Sequence, residues 1–353
     1  MANVVQDPRS HPQAFLCDFS KPNPYYKFRK QDVAFVYGSH WKQRYFVKRG
    51  NQYYALPVQW DIVHHVWLKY HPGLGEDWWV PYYPDDPMKR PTGPLCDGCH
   101  SVNYNITTET VTEWNVGCER CHGPGSEHIR VPWKQGSIVN PARLDFVRAN
   151  DVCIQCHSQL RPLSNPIHGI YYDWAVGYQP GDRLSDYVRL EDHQLGVNNF
   201  FYWPDGSAHK NREQGNDFVT SVMYVHGVTC FSCHDPHGSE NDNLLIKPGS
   251  AMCLECHGPR SPNGPRGETL EAHTHHPPGS PGSDCIACHM PQIATEIGTF
   301  RVHSHTFRFI SPALTMKYGI PNPCTSCHKN KSNEWALEQL GKWQNESPWR
   351  FER

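Results

Sequence analysis

Fourteen of the fifteen cysteines in this chain occur in one repeated pattern, Cys-x-x-Cys-His. Two thiols at this spacing can form thioether bonds to a porphyrin, and the histidine that follows them can then bind the iron. The pattern occurs seven times, and we number its copies motifs 1 to 7 in chain order. The triplets are Cys96/Cys99/His100, Cys118/Cys121/His122, Cys153/Cys156/His157, Cys230/Cys233/His234, Cys253/Cys256/His257, Cys285/Cys288/His289 and Cys324/Cys327/His328. The sequence therefore predicts seven covalently bound haem c groups, each with a proximal histidine.

Zinc knuckles and disulfide frameworks also use paired cysteines. Zinc would require the pairs to combine in fours, and neither alternative explains a histidine directly after every second cysteine. Cys17 is the one cysteine outside the motifs. We interpret it as a partly buried free thiol, and an intermolecular disulfide or the remnant of a trimmed motif are the alternatives.

The composition is that of a chain with a small side-chain core. Mean hydropathy is −0.68 over 353 residues, and Leu, Ile and Val are sparse, whereas aromatic residues, Pro, Gly and His are plentiful. Large apolar porphyrins can replace much of the missing side-chain packing. We therefore expect a mostly irregular multihaem cytochrome c fold, with short α-helices around the haem motifs, a small N-terminal β-hairpin and a core built from stacked haems.

Changes in composition divide the chain into four predicted regions. Residues 1–30 form an irregular arm, because prolines interrupt any regular element. Residues 31–92 form a small β and aromatic cap, and residues 93–330 form the heptahaem domain. Within that domain, residues 158–229 are an aromatic-rich insertion expected to carry short strands or an interaction loop. Residues 331–353 form a C-terminal helix and tail.

Two segments carry clear secondary-structure signals. Alternating apolar residues from Val33 to Tyr37, and aromatic-rich runs on either side of the turn-forming triplet 49–51, predict the β-hairpin. The segment Ser332–Trp343 predicts a helix, because Ser332 or Asn333 can cap it and apolar residues recur on one face.

The order of several motifs resembles a known family. Gly-Cys-x-x-Cys-His-Gly-Pro-Gly-x-x-His at 117–128 is followed by Gly-Val-Thr-Cys-x-x-Cys-His-Asp-Pro-His at 227–237, His-His-Pro-Pro-Gly-Ser at 275–280 and Cys-His-Met-Pro at 288–291. This order is similar to that of multihaem cytochromes related to the tetrahaem electron carrier of ammonia oxidisers, especially the cytochrome modules fused to tetratricopeptide arrays. The resemblance covers about residues 35–343. The tetratricopeptide array, and the additional N-terminal haem motif of many such modules, are missing from this chain.

Sixteen histidines remain for the distal side of the irons, because seven of the twenty-three belong to the motifs. Sharp turns containing Gly or Pro follow motifs 2 and 4 and deliver an imidazole a few residues beyond the proximal one. These turns and the resemblance together select four distal candidates, His128, His237, His276 and His305. A second set consists of His209, His226 and His40. Met223, Met252 and Met290 are alternative axial ligands.

Charge and hydropathy limit the classes of partner. The formal net charge is −2, and haem propionates would make the assembled protein more acidic, which argues against binding to nucleic acid. No apolar run reaches the length of a transmembrane segment. Haem attachment takes place outside the cytoplasm, so we expect a periplasmic or extracellular protein whose export signal is not present in this chain.

The predicted function is electron transfer. Two imidazoles close both axial positions of an iron, so bis-histidine haems exchange single electrons and need no catalytic residue. Redox partner proteins or neighbouring cytochromes are the expected partners. Two alternatives remain open: an oxidoreductase for a small nitrogen or sulfur compound at one open-coordination haem, and a subunit that self-associates into an oligomer or an extracellular filament.

Overall fold

The computed structural model describes residues 16–20, 28–39, 41–70, 89–199, 201–210, 212–258, 261–262, 269–295 and 301–343. The chain divides into two compact units. Unit 1 comprises Met1–Glu191 and Glu296–Phe300, and unit 2 comprises Asp192–Thr295 and Arg301–Arg353. Motifs 1 to 3 belong to unit 1, and motifs 4 to 7 belong to unit 2. The division falls inside the predicted insertion, and most of the predicted N-terminal arm lies outside the described residues.

Unit 1 contains a four-stranded antiparallel sheet in sequence order, formed by β1 (Val33–Tyr37), β2 (Lys42–Arg49), β3 (Gln52–Asp61) and β4 (Val66–Lys69). The predicted hairpin is confirmed as β2 and β3, which pair from Arg49 and Gln52 outward. Gly50 has a φ of 62°, which glycine adopts without steric cost. The sheet extends the predicted hairpin by β4, whose apolar residues pack on the same core.

The rest of unit 1 is short elements joined by loops. The helices are α1 (Gly98–His100), α2 (Glu119–His122), α3 (Ser126–Arg130) and α4 (Phe146–Ile154), with a π-helix at Gly93–Asp97 and 3-10 turns at Lys30–Asp32, Pro141–Arg143 and Leu184–Asp186. Two further antiparallel pairs are β5 (Ser101–Val102) with β6 (Glu113–Trp114) and β7 (Leu160–Pro162) with β8 (Val188–Leu190). The last pair confirms that the predicted insertion carries short strands.

Unit 2 is mainly helical. Its helices are α5 (Gln214–Val219), α6 (Val222–Val225), α7 (Ser250–His257), α8 (Leu270–Thr274), α9 (Cys285–His289), α10 (Pro312–Tyr318), α11 (Pro323–Cys327) and α12 (Asn333–Lys342). Three 3-10 turns lie at Cys230–Ser232, Asp242–Leu244 and Pro281–Ser283, and β9 (Gln292–Thr295) pairs with β10 (Arg301–His303).

Helix α12 confirms the predicted C-terminal helix. The Ser332 hydroxyl accepts a hydrogen bond from the Trp335 amide, and Ala336 and Leu340 are buried. An ion pair of 2.8 Å joins Glu338 to Lys342. Local sequence signals were sufficient here because capping and one apolar stripe decide whether such a helix forms.

The apolar core is divided into small clusters. One lies under the sheet of unit 1, and another joins Ile293, Ile310, Leu314 and Ile320 in unit 2. Helices α7 and α9, which the structure describes completely, contain no buried residue. Among helices in the described ranges, none combines the length and hydrophobicity needed to cross a bilayer.

Two buried acidic residues, Glu213 and Asp217, lie at the start of α5. Glu213 accepts a hydrogen bond from the Lys210 amide at 3.4 Å through Oε2, whereas its Oε1 is buried and has no hydrogen-bond partner. Asp217 accepts from the Ala208 amide at 2.7 Å and from the Ser304 hydroxyl at 2.8 Å. Burial, followed by the charge of Asp217, raises the pKa of Glu213 well above its ordinary value.

The first prediction concerns the core under the sheet. Val66 is fully buried (0% exposed) in this cluster, so Val66→Ala should lower the free energy of unfolding by about 1–3 kcal/mol through lost burial and a residual cavity. The matched control is Val63→Ala, because Val63 is 53% exposed in the turn before β4 and should leave stability unchanged. Equal urea midpoints for the two variants would show that this cluster does not stabilise the unit.

The second prediction concerns pH. The raised pKa means that the stability contributed by protonated Glu213 is complete below the ordinary glutamate range and is lost as pH rises toward the folded-state pKa. Glu213→Gln should therefore be more stable than wild type. The difference in the free energy of unfolding should grow as pH rises, by up to about 1.4 kcal/mol per pH unit. Urea unfolding between about pH 4 and pH 8 measures this excess. The exposed Glu240→Gln should show no such slope, and a parallel profile for Glu213→Gln would contradict the prediction.

Candidate functional site

The seven motifs are folded as short helical turns. In motifs 2, 3, 4 and 7, the histidine amide donates to the carbonyl of the first cysteine at 2.8–3.0 Å. Motifs 5 and 6 lie in α7 and α9, and motif 1 ends α1. Residues i, i+3 and i+4 of a helical turn share one face, so both sulfur atoms and the imidazole of a motif project to the same side. This is the arrangement that two thioether bonds and one axial ligand require.

Motif 3 is only partly helical. Helix α4 ends at Ile154, inside the motif, and His157 lies in the bend after it with an exposed side chain rather than an enclosed one. The bond from the His157 amide to the Cys153 carbonyl, at 3.0 Å, nevertheless closes the turn of the motif. Ligation by His157 therefore stays a prediction, in which the macrocycle covers the ring. The proximal histidines that are likewise exposed are His100, His257 and His328.

Backbone carbonyls orient several of the imidazoles. The Nδ1 atom of His122 lies 2.8 Å from the Val139 carbonyl oxygen, and that of His234 lies 2.9 Å from the Asn243 oxygen. Among the distal candidates, Nδ1 lies 2.5 Å from the Thr274 oxygen in His276 and 3.0 Å from the His303 oxygen in His305. An N–H donated at Nδ1 leaves Nε2 deprotonated and directed away from the backbone. Metal-binding histidines commonly have this arrangement.

Three proximal histidines each face a histidine from outside the motifs. The ring centroids are 6.4 Å apart for His234 and His305 in motif 4, and the planes are inclined by 27°. The other two pairs are His289 with His273, at 6.2 Å and 6°, and His328 with His276, at 6.1 Å and 34°. Two imidazoles on opposite sides of one metal ion have centroids roughly 6 Å apart, because each nitrogen lies about 2 Å from the metal. The spacing thus fits an iron ion between each pair.

The pair in motif 6 contains a residue that the sequence analysis did not select. His273 lies in α8, and the chain then passes through His275, which has a left-handed φ of 54°, before reaching His276. This reversal carries His273 and His276 to different proximal histidines. Burial, and then the charge of His273, lowers the pKa of His289, which favours the neutral form that binds metal. The cluster of three histidines in residues 273–276 was the available signal, but it does not reveal where α8 ends.

The remaining distal candidates have other neighbours. His128 in α3 has Nδ1 3.1 Å from the Ser137 hydroxyl, and the His209 ring lies 4.0 Å from Trp203. His226 follows α6 and is exposed, and His237 is exposed beside Asp235. The structure does not describe His40. For these five residues, ligation stays a prediction, as it does for the methionine alternatives.

Motif 1 lies against the sheet of unit 1. The ring of Tyr37 in β1 stacks on His100 with centroids 4.8 Å apart, and its hydroxyl donates to Asp97 at 3.0 Å. Thr92 donates to the other Asp97 oxygen at 2.8 Å. Burial raises the pKa of Asp97 to about 6 despite these hydrogen bonds. The predicted cap therefore fixes the orientation of one proximal histidine.

A cavity of about 490 Å³ lies beside His122. Gly123, Ser137 and Val139 contribute to its wall, and Ser137 is also the partner of His128. A volume of this size is within the range of small-molecule and cofactor sites. Large apolar side chains are exposed nearby in sequence, at Ile129 (83%) and Trp133 (80%). Such exposure next to a motif is expected where a macrocycle covers the surface.

Sulfur atoms of different motifs are neighbours within unit 2. The Cys253 thiol of motif 5 hydrogen-bonds with Cys285 of motif 6, which raises the pKa of Cys253. Burial, followed by the charges of Cys324 and Cys327 in motif 7, raises the pKa of Cys288 to about 12. Burial, and then the charge of Cys256 in motif 5, raises the pKa of Cys233 in motif 4, so the motifs are adjacent in the order 4, 5, 6, 7. Thioether bonds would replace the thiol protons of these cysteines, but the sulfur atoms of adjacent motifs would stay close together.

The three motifs of unit 1 are not adjacent in chain order. Cys99 of motif 1 lies 3.8 Å from the Gln155 carbonyl oxygen inside motif 3, and Cys99 and Cys156 share one apolar cluster. Burial, and then the charges of Cys153 and Cys156, raises the pKa of Cys121 in motif 2. Motif 3 is therefore adjacent to both others, and the spatial order is 1, 3, 2.

The alternative uses of cysteine find no support in the structure. No disulfide joins any of the fifteen cysteines, which all lie within the described residues, and no group of three or more Cys, His, Asp or Glu side chains there is arranged to hold a zinc ion. The helical turns, oriented imidazoles and facing histidine pairs all fit covalently bound haem.

Comparisons with known proteins agree with these features. The family described as a doubled CXXCH motif matches residues 224–261, which contain motifs 4 and 5. Over 143 residues, or 40% of this chain, the sequence is 28% identical to multiheme cytochrome MtrA of Shewanella baltica (strain OS185). The match covers 41% of that curated relative, which is less than half of its length.

A solved structure shares the fold. The outer cell wall cytochrome OcwA has a TM-score of 0.71 at 21% identity, over 97% of this chain and 82% of that one. The undecaheme cytochrome from the S-layer of Carboxydothermus ferrireducens aligns with 90% of this chain and 54% of its own, with a TM-score of 0.49 and 18% identity. The repeated attachment motif and the MtrA match support a multihaem c-type cytochrome, and the fold shared with OcwA agrees with it.

Proposed function

We propose that this chain is an electron-transfer cytochrome with seven haem c groups, several of them closed on both sides by histidine. The observation that carries this proposal is the set of three facing histidine pairs, whose centroids are 6.1–6.4 Å apart. Each pair combines one proximal histidine with one from outside the motifs.

Bound haem supplies the gain and loss of one electron at iron. The chain holds each group by two cysteines and the proximal histidine of a motif. His305, His273 and His276 are the proposed distal ligands in motifs 4, 6 and 7. Because both axial positions are then filled by side chains, these three centres have no position for a substrate.

The order of the motifs supports a relay within each unit. Sulfur atoms of adjacent motifs are in contact or influence one another's pKa in the orders 1, 3, 2 and 4, 5, 6, 7. Attachment points this close bring the macrocycles near to one another and give the stacked-haem core expected from the sequence. Burial and neighbouring charges would set the potential of each centre.

We also propose where this relay operates and with which kind of partner. The relative OcwA is an outer cell wall cytochrome, so we infer that this chain too is exported and exchanges electrons with other cytochromes. Self-association into an oligomer or filament is compatible with this role. The narrower resemblance to the carriers of ammonia oxidisers stays a prediction.

One observation favours an alternative function. The cavity beside His122 is large enough for a small molecule. If motif 2 lacked a distal ligand, it would provide the open coordination site that an oxidoreductase for a small nitrogen or sulfur compound requires.

Haem content and spin state distinguish the two functions. The pyridine haemochrome assay should give about seven haems per chain, and electron paramagnetic resonance of the oxidised protein should show only low-spin ferric iron. The reduced native protein should bind no carbon monoxide, since bis-histidine irons have no free position. High-spin iron, or one carbon monoxide bound per chain, would instead support the oxidoreductase. A haem count far below seven would reject the proposal itself.

A matched pair of variants tests one distal ligand. His305→Ala should open the iron of motif 4 and produce one high-spin ferric haem and one carbon monoxide site per chain. His303→Ala is the control, because Nδ1 of His303 lies 2.5 Å from the Met290 carbonyl oxygen and its Nε2 lies 3.1 Å from the Gln292 amide nitrogen. This variant should remain low-spin. If the two variants have the same spectrum, His305 is not a ligand.

A further inference from the structure

The proposed distal ligand His305 lies in a stretch of chain without regular secondary structure. Strand β10 ends at His303 and α10 begins at Pro312, so no strand or helix supplies the backbone hydrogen bonds between them. Ser304 and Thr306, on either side of His305, are nevertheless buried. Buried backbone in an irregular stretch needs partners from elsewhere in the chain. The position of the His305 imidazole therefore depends on the contacts that fix this backbone.

A carboxylate from a distant part of the sequence makes these contacts. Asp217 in α5 accepts a hydrogen bond from the His305 amide at 2.9 Å and from the Ser304 hydroxyl at 2.8 Å, both through Oδ2. Its Oδ1 accepts from the Ala208 amide at 2.7 Å. Asp217 and His305 are 88 positions apart in sequence. The carboxylate thus connects residues 304–307, which we call the ligand segment, to the helix that precedes α6 and motif 4.

Burial makes this connection costly to break. Asp217 is 1% exposed, so its carboxylate has lost nearly all contact with water. Hydrogen-bond donors must replace that hydration, because a buried carboxylate without them is strongly unfavourable. Two of the three donors named above belong to the ligand segment. Movement of His305 away from its position would deprive the carboxylate of both, and this cost opposes release of the ligand.

Ring contacts from the same helix support the ligand segment. Phe218 follows Asp217 and packs against Phe307 with ring centroids 6.2 Å apart and planes inclined by 73°. Phe307 in turn contacts the His305 ring at 6.1 Å. The φ of Phe307 is 56°, which is unfavourable for a residue with a side chain and is maintained by its surroundings. Helix α5 therefore holds the backbone of the ligand segment and packs against its side chains.

We propose that Asp217 is a positioning residue that keeps His305 on the iron of motif 4. The inference rests on the proposed function, since it requires His305 to bind that iron opposite His234. Asp217 fixes the His305 backbone, whereas the His303 carbonyl oxygen, 3.0 Å from Nδ1, orients the ring. The carboxylate acts through His305 and lowers the fraction of motif 4 iron that is open on its distal side.

The test compares four variants of the full haem-loaded protein. Asp217→Asn keeps the shape of the side chain but replaces one acceptor oxygen with a donor. Ser304→Ala removes one donor and leaves the bond from the His305 amide. Glu213→Gln is the matched control, because Glu213 is also 1% exposed at the start of α5 and accepts from the Lys210 amide. His305→Ala gives the spectrum of an open iron at motif 4.

Cyanide competes with His305 for oxidised iron, and its apparent affinity is proportional to the fraction of iron that is open. Loss of a hydrogen bond to a charged group should raise this fraction about tenfold. Asp217→Asn should therefore lower the cyanide concentration that half-saturates one haem about tenfold. The electron paramagnetic resonance signal that changes should be the one lost in His305→Ala. Ser304→Ala should give a smaller decrease at the same centre, and Glu213→Gln none.

Wild-type cyanide affinity in both Asp217→Asn and Ser304→Ala would overturn the positioning role, as would an equal change in Glu213→Gln. If Asp217→Asn does not assemble with haem, Ser304→Ala decides between the same two outcomes. A low-spin His305→Ala would overturn the ligand assignment under the proposed function, and the positioning role with it.

Discussion

The structure depends on one geometric constraint, which is that each attachment motif must fold as a single helical turn. Only then do residues i, i+3 and i+4 present two sulfur atoms and an imidazole to the same side. In motifs 2, 3, 4 and 7, the bond from the histidine amide to the first cysteine carbonyl closes this turn. Because a turn so short has no stability of its own, neighbouring elements and the covalently bound macrocycle must hold it.

This constraint explains why side-chain packing is so unevenly distributed. The sheet of unit 1 and the cluster around Ile293 are packed as in ordinary domains, but α7 and α9 contain no fully buried residue. The exposed ring of His157 and the exposed apolar residues Ile129 and Trp133 lie within or soon after attachment motifs. A polypeptide with this pattern is incomplete as a folding unit, and apolar macrocycles supply the missing surface. The negative mean hydropathy of the chain fits a fold that relies on bound haem for part of its apolar packing.

The sequence was sufficient wherever local chemistry decides the structure. The turn at Gly50 and the cap at Ser332 predicted the hairpin and α12, because each depends on residues only a few positions apart. The spatial order 1, 3, 2 in unit 1 could not be predicted, because it depends on contacts such as Cys99 with Gln155 that no local rule specifies. The same limit applies to His273. Choosing among three histidines in residues 273–276 requires the left-handed residue His275, and a non-glycine residue at positive φ is stabilised by its tertiary surroundings.

Charge compensation connects the haem sites to the rest of the chain. Where a partly buried arginine has a structural role, the polypeptide supplies its own counterions: Arg161 pairs with Asp173 at 3.2 Å and with Glu191 at 2.9 Å. Arg161 lies in β7, four residues after His157 of motif 3, so these two carboxylates balance a positive charge close to an attachment motif.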